Sequence, residues 1–207
     1  MAESSGFPPF SRKSPLELVK NRPHYTPMAL REIARIGHPV LRKVAEEVAD
    51  PMTPEIAALV ADMIETMRAS EGVGLAAPQI LVSRRVLVFE VAAARASAES
   101  EADGALPVGL TTLINPVLEP LGEEMELGWE GCLSLPGMAG MVPRYVHLRY
   151  RGVTPEGETI VRDVRGFHAR IVQHETDHLD GILYPMRMQD LSTFGYVDEM
   201  EKSLPEI

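Results

Sequence analysis

The run Gln173-His174-Glu175-Thr176-Asp177-His178, taken with the single Cys132, constrains this chain more than any other feature, because it joins three candidate metal ligands to a candidate general base. On a helix, residues four apart share one face about 6 Å apart along the axis, so His174 and His178 can offer imidazole nitrogens to one ion. Glu175 then points about a quarter turn away, where it can reach water beside the metal and not the metal itself. Ile171, Val172 and Leu179 flank the run and make the helix at least partly buried. A buried imidazole pair without a partner is costly, and coordination removes that cost. Taken alone, however, a His-Glu-x-x-His run also occurs on helices that use such residues in surface salt bridges and caps.

With 207 residues and 45% hydrophobic content, the chain can bury one core, which suggests a single catalytic domain over 29–207. The net charge of -10 disfavours direct nucleic-acid binding, which requires a clustered basic face. A lone cysteine excludes an intrachain disulfide, no apolar run approaches the roughly 18 residues of a membrane span, and no secretory leader is apparent; a cytoplasmic protein without membrane contact is expected. Residues 1–28 stand apart, with five prolines and four serines, and with Arg12, Lys13, Lys20 and Arg22 outnumbering Glu3 and Glu17. They read as a flexible extension, since Pro8, Pro9, Pro15 and Pro23 would break the amphipathic helix of a transit peptide.

Hydrophobic periodicity predicts the elements. Arg31 to Leu41 reads as an entering loop. Thr53 can cap a helix from Pro54 to Arg68, with Ile56, Leu59, Val60, Met63, Ile64 and Met67 as its buried stripe. Glu71 to Gln79 is a glycine-bearing loop. Arg85 to Val91 reads as a buried strand, and Ala92 to Ala105 as an exposed excursion. Leu110 to Leu118, Glu123 to Trp129, Tyr145 to Arg151 and Thr159 to Val164 are strand-like, and the motif helix runs from near Gly166 to an αL cap at Gly181. The expected fold is α+β, with short, mostly antiparallel strands around a central metal-binding helix and an N-terminal helix.

Zinc proteases share the His-Glu-x-x-His run. One group adds Gly-x-x-His; here Gly181 is present but Tyr184 stands where the third histidine belongs, which removes that group. Another group uses a later glutamate, and the spacing of Glu199 leaves it open. The segment Gly72-Val73-Gly74-Leu75-Ala76-Ala77-Pro78-Gln79 lacks the Lys-Ser/Thr of a phosphate-binding loop and the spacing of a dinucleotide fingerprint.

That segment, Glu130-Gly131-Cys132-Leu133-Ser134 and Gln173 to Gly181 form three ordered motifs. In them the chain resembles the peptide deformylases, matching Gly-x-Gly-x-Ala-Ala-x-Gln, Glu-Gly-Cys-x-Ser and Gln-His-Glu-x-Asp-His-Leu-x-Gly at every specified position, within a span from about Leu30 to Met188. The resemblance reduces Glu199 to a surface charge. It implies Cys132, His174 and His178 as ligands of one ion per chain, Glu175 as general acid/base, and Gln79 with the Leu133 amide as oxyanion donors. One thiolate and two neutral imidazoles leave a fourth position open. The resemblance points to Fe2+, while Zn2+, Ni2+ or Co2+ also suit a mixed sulfur and nitrogen set.

The implied reaction removes the formyl group from formyl-methionyl nascent chains and releases formate. Val73, Ile171 and the His174 ring are candidates to line a methionine pocket, and Gly72 and Gly74 to let backbone approach an extended peptide. By analogy with the family, Glu130 and Arg144 would pair to hold the cysteine loop, although two unrelated surface charges fit the sequence equally well. Gln173 and Asp177 would orient ligands or backbone. The chain departs from the family at Gly137-Met138-Ala139-Gly140, where many relatives carry an arginine near Ala139, which leaves contacts beyond the first substrate residue open. Its tail has Asp198, Glu199, Glu201 and Glu206 against Lys202 and lacks a basic extension, so a transient ribosome contact is left open too. The alternatives are a metalloprotease that would cut internal peptide bonds and a catalytically inactive peptide-binding homologue. The presence of all three ligands and Glu175 weighs against the second.

Overall fold

The protein is described by a computed structural model that covers residues 30–91 and 108–202, so the expectations for 1–28 and 92–105 lie outside the described residues. Helix α1 (Pro54–Ala69) starts where the sequence places it: the Thr53 hydroxyl accepts from the Ile56 N–H at 3.3 Å, and Pro54 sits in the first turn, where its missing donor costs nothing. The following strands are β1 (Gly74–Ala76), β2 (Val86–Val91), β3 (Val108–Pro120), β4 (Met125–Cys132), β5 (Leu135–Tyr145), β6 (His147–Val153) and β7 (Thr159–Arg165). Helix α2 (Gly166–Leu179) carries the His-Glu-x-x-His run, and β8 (Gly195–Tyr196) leads into the short α3 (Val197–Lys202).

Paired strands among the described residues are antiparallel. They form a five-stranded sheet in the order β1-β2-β3-β6-β7 and a three-stranded sheet in the order β4-β5-β8. Strand β2 explains how the two helices are arranged. Its even positions, Val86 and Val88, join the α1 side chains Ile56, Leu59, Val60, Met63 and Met67, while Leu87 and Phe89 join Ile171, Val172 and Leu179 of α2. Side chains alternate across a strand, so these clusters put α1 and α2 on opposite faces of the sheet and make β2 apolar on both. Each such side chain contributes about 1.5–3 kcal/mol on burial. A third cluster, Ala34, Leu41, Cys132, Leu135, Val142, Leu183 and Tyr184, surrounds the β4-β5 hairpin.

Some expected boundaries move. The strand read from Tyr145 to Arg151 is two strands: Tyr145 ends β5, and β6 begins at His147. Strand β5 has eleven residues and β3 thirteen, longer than the short strands expected. Pro136, Gly137, Gly140 and Pro143 disguise β5 as a loop, and pairing with β4 from Met125↔Tyr145 to Gly131↔Ala139 overrides their weak strand preference. Within the glycine-bearing loop, Gly74–Ala76 pairs with β2 as an edge strand, and Ala77–Ile80 forms a 3-10 turn. Helix α2 ends in a Schellman arrangement, with Ile182 N–H on Asp177 O at 2.8 Å and Gly181 N–H on His178 O at 3.3 Å. Gly181 adopts φ +72°, and a Cβ there would sit 2.8 Å from the Arg42 backbone, so glycine is required on both counts.

Candidate metal centre

Two elements distant in sequence build the centre. Helix α2 presents His174 and His178 one turn apart, with ring centroids 5.0 Å apart, and β4 delivers Cys132 as its last residue. The ligand atoms of these three residues lie within 4.8 Å of one another, and Cys132 Sγ is 3.3 Å from His178 Nε2. All three are buried. His178 Nδ1 and Glu175 Oε2 are also buried and have no hydrogen-bond partner. A soft thiolate and two imidazoles converging in a closed space, with polar atoms left unpaired, is a donor set suited to a first-row divalent ion with one position open.

Electrostatics prepares the set. Burial opposes the charge on Glu130, but hydrogen bonds from Arg144 and His174 outweigh it and hold the carboxyl well below the usual range. Its Oε2 lies 2.8 Å from His174 Nδ1, which turns the other ring nitrogen toward the Cys132 sulfur. Burial lowers the pKa of His178, and the charges of His174 and Arg144 lower it further, so this imidazole is neutral, as a ligand must be. Burial would also keep His174 neutral, but Cys132 and Glu130 favour its protonated form, and a metal ion would replace that proton. Glu175 is pushed up to about 7, by burial first, with the His174 charge opposing. A carboxyl near neutrality can both take and return a proton.

Glu130 and Arg144 do pair: Nε to Oε1 is 2.8 Å and Nη2 to Oε2 is 2.9 Å. Arg144 Nη1 continues to Asp177 Oδ2 at 2.6 Å, and Arg187 closes on the same carboxylate at 2.7 and 3.2 Å. Gln173 binds the backbone of Tyr145 in both directions, at 3.1 and 2.9 Å. Both residues expected to act in support therefore tie α2 to β5. Gln79 Oε1 accepts from Ala76 N–H at 2.8 Å, which fixes the amide so that Nε2 faces Ser134 Oγ at 3.2 Å and Cys132 Sγ at 3.5 Å. Leu133 and Ser134 form the turn after Cys132, and the Ser134 N–H donates to the sulfur at 3.4 Å.

The glycines matter by contact. A Cβ at Gly74 would overlap the Glu175 carboxylate, and one at Gly72 would lie 2.9 Å from Leu133 Cδ1. Val73 and Ile171 pack within one apolar cluster. A cavity of about 610 Å³ lies along a different stripe of α2, lined by Gln173, Thr176, Asp177 and Asp180, and does not include Val73 or Ile171. Tyr184 stacks on the His174 ring, centroids 6.1 Å apart. Glu199 is exposed, 2.6 Å from Lys202. Sequence reasoning missed Arg170, Arg187 and the bonding of Ser134. The spacing of Arg170, His174 and Asp177 along one helical stripe is the signal that would have found the first of these.

The polypeptide deformylase family profile matches residues 30–194. Peptide deformylase 1 of Nitrosomonas europaea is 53% identical over 171 residues, which cover 83% of this chain and 94% of that protein. Peptide deformylase 2 of Ralstonia nicotianae is 49% identical over 176 residues, covering 85% and 97%. The Met-Ala-Ser-bound crystal structure of the class I type b peptide deformylase from Acinetobacter baumannii aligns with a TM-score of 0.70 at 33% identity, covering 78% of this chain and 99% of that one. The peptide deformylase of Thermotoga maritima aligns with a TM-score of 0.68 at 33% identity, with the same coverage.

Proposed function

The chain belongs to the polypeptide deformylase family and is a metal-dependent hydrolase that removes the formyl group from formyl-methionyl peptides; from that premise we propose that Cys132, His174 and His178 hold its ion and that Glu175 moves the proton. One observation carries the assignment: three ligand atoms converge within 4.8 Å beside a buried carboxylate with an unpartnered oxygen. When bound, the ion supplies the Lewis acidity that lets water ionise near neutral pH. Ferrous iron is the ion we favour, and zinc, nickel and cobalt suit the same donors.

Hydrolysis adds water across the formyl C–N bond. Glu175 accepts the proton of the attacking water and returns it to the departing amine, so formate and a free α-amine are the products. Negative charge growing on the formyl oxygen meets Gln79 Nε2 and the Leu133 amide, and one such donor is typically worth about 3 kcal/mol. Half-buried Val73 and the His174 ring offer apolar surface to the methionine side chain, Ile171 is buried in the same cluster as Val73, and the room left at Gly72 and Gly74 is taken by Leu133 and the Glu175 carboxylate, not by peptide backbone. Glu130 keeps His174 in the orientation and tautomer a ligand needs.

Action on nascent chains supports reading the protein as cytoplasmic. A transient ribosome contact would use a surface other than α3, whose Asp198, Glu199 and Glu201 outnumber Lys202. No helix among the described residues is long and apolar enough to cross a membrane.

The test is formate release from a formyl-Met-Ala peptide by protein purified without oxygen, with metal content measured on the same sample. Glu175→Gln should retain the ion and lose most turnover. Undiminished turnover in that variant would remove Glu175 from the proton-transfer role.

A further inference from the structure

Cys132 belongs to the β4-β5 hairpin and both histidines to α2, so the shape of the donor set depends on how the helix seats on the hairpin. Arg170, Gln173, His174 and Asp177 follow the i, i+3, i+4, i+7 spacing of one helical stripe, and each bonds to the hairpin. Arg170 has the widest reach. Its Nη1 donates to Val142 O at 2.8 Å and Glu130 Oε1 at 3.1 Å, with a longer bond to Gly128 O at 3.4 Å, and its Nη2 donates to Glu126 O at 2.9 Å. The acceptors lie on both strands, with Gly128 directly paired to Val142 across the ladder.

Gly128 makes this possible. A Cβ there would lie 2.7 Å from both Cζ and Nη2 of Arg170, closer than nonbonded atoms allow, so any larger residue would make the guanidinium shift off its acceptors. The Arg170 side chain is only 12% exposed, and a planar fork of donors meeting carbonyls and a carboxylate at such depth is stiff.

We propose that Arg170 is a positioning residue for the metal centre, with Gly128 as its seat. It locks β4 and β5 onto α2, sets the separation of Cys132 from the two histidines, and steadies the carboxylate of Glu130 that orients His174. This rests on the reading of Cys132, His174 and His178 as ligands.

The experiment loads full-length protein with cobalt(II), records the sulfur-to-cobalt charge-transfer and d–d bands, and follows cobalt loss to excess chelator. Wild type should show the thiolate band. Arg170→Met should shift the bands and speed cobalt loss about 10–100-fold, the range for residues that orient metal ligands. Gly128→Ala should act in the same direction in wild type yet add no more than about twofold to Arg170→Met, because the group it displaces is already gone. Arg170→Lys keeps a charge beside Glu130 but cannot span the carbonyls, and should fall between. It also serves if the methionine variant does not fold. Val88→Ala, a core truncation against α1, should lower the melting temperature and leave the bands and the rate unchanged.

Wild-type bands and rates in the Arg170 variants would overturn the proposal, as would a Gly128→Ala effect equally large in both backgrounds. A wild-type protein with no thiolate band would instead overturn the ligand assignment on which it rests.

Discussion

Replacing Arg144 with methionine tests how the centre is held together. The guanidinium is 5% exposed and bonds to two carboxylates, Glu130 at 4% and Asp177 at 9%. Methionine fills much of the same space, so the loss is mainly electrostatic. Removing one member of a buried ion pair typically costs about 3–5 kcal/mol, because the abandoned charge has lost its water as well as its partner. Glu130 keeps Arg170 and His174, and Asp177 keeps Arg187, so the lower end applies. About 3 kcal/mol in a domain of this size lowers the melting temperature by about 6–12 °C. By contrast, Arg149→Met breaks the pair with Asp163, whose side chains are 44% and 46% exposed and screened by water, and should leave stability nearly unchanged. Adding Asp177→Leu to Arg144→Met removes one stranded carboxylate and frees only Arg187, already 46% exposed. That double variant should recover about 1–3 kcal/mol relative to the sum of the singles. Urea unfolding of wild type, Arg144→Met, Asp177→Leu, their double variant and Arg149→Met at one fixed metal concentration measures this, since metal bound to the native state adds its own stability. An Arg144→Met loss no greater than that of Arg149→Met, or strict additivity in the double variant, would refute the reasoning.

Two further outcomes are expected. Gln79→Leu should retain the ion and lower kcat about 10²–10³-fold, as removal of an oxyanion donor does; unchanged kcat in a steady-state assay would dismiss that role. His168 sits against Phe89 and Tyr150, and burial, then the Arg162 charge, lowers its pKa to about 4. Because its folded pKa lies below the ordinary 6.5, the native state resists protonation, so stability is full above about pH 6.5 and is lost as pH falls toward 4. Between pH 7.5 and 5 the loss is at most about 2 kcal/mol, and the difference in urea unfolding between wild type and His168→Gln should report it; parallel pH curves would contradict it.

The legible parts of the fold are those with strong periodicity or end signals. Helix α1 follows Thr53, Pro54 and a clean apolar stripe, and α2 ends at the glycine that its backbone requires. Strand β5 was illegible because its prolines and glycines describe a loop, and only its pairing partner β4 makes it a strand. The pairing of Glu130 with Arg144 was undecided in sequence, since two charges at that spacing are as often unrelated. Their burial and the second carboxylate of Asp177 distinguish a bridge from a coincidence.

By itself the sequence determined the chemistry: which side chains offer sulfur, nitrogen and carboxylate, and that two of the nitrogens share a helical face, because helical spacing is a local property. Tertiary structure decided what depends on distant segments meeting. Cys132 joins the histidines only because β4 ends against α2, and Arg170 finds its acceptors only because Gly128, on a strand legible in sequence, leaves room where β4 pairs with β5, which was not legible. Glu175 reaches a pKa of about 7 through burial first, with the Glu130 charge adding to it, once it packs against Gly74. Proximity and desolvation arise from packing, and no residue carries them alone.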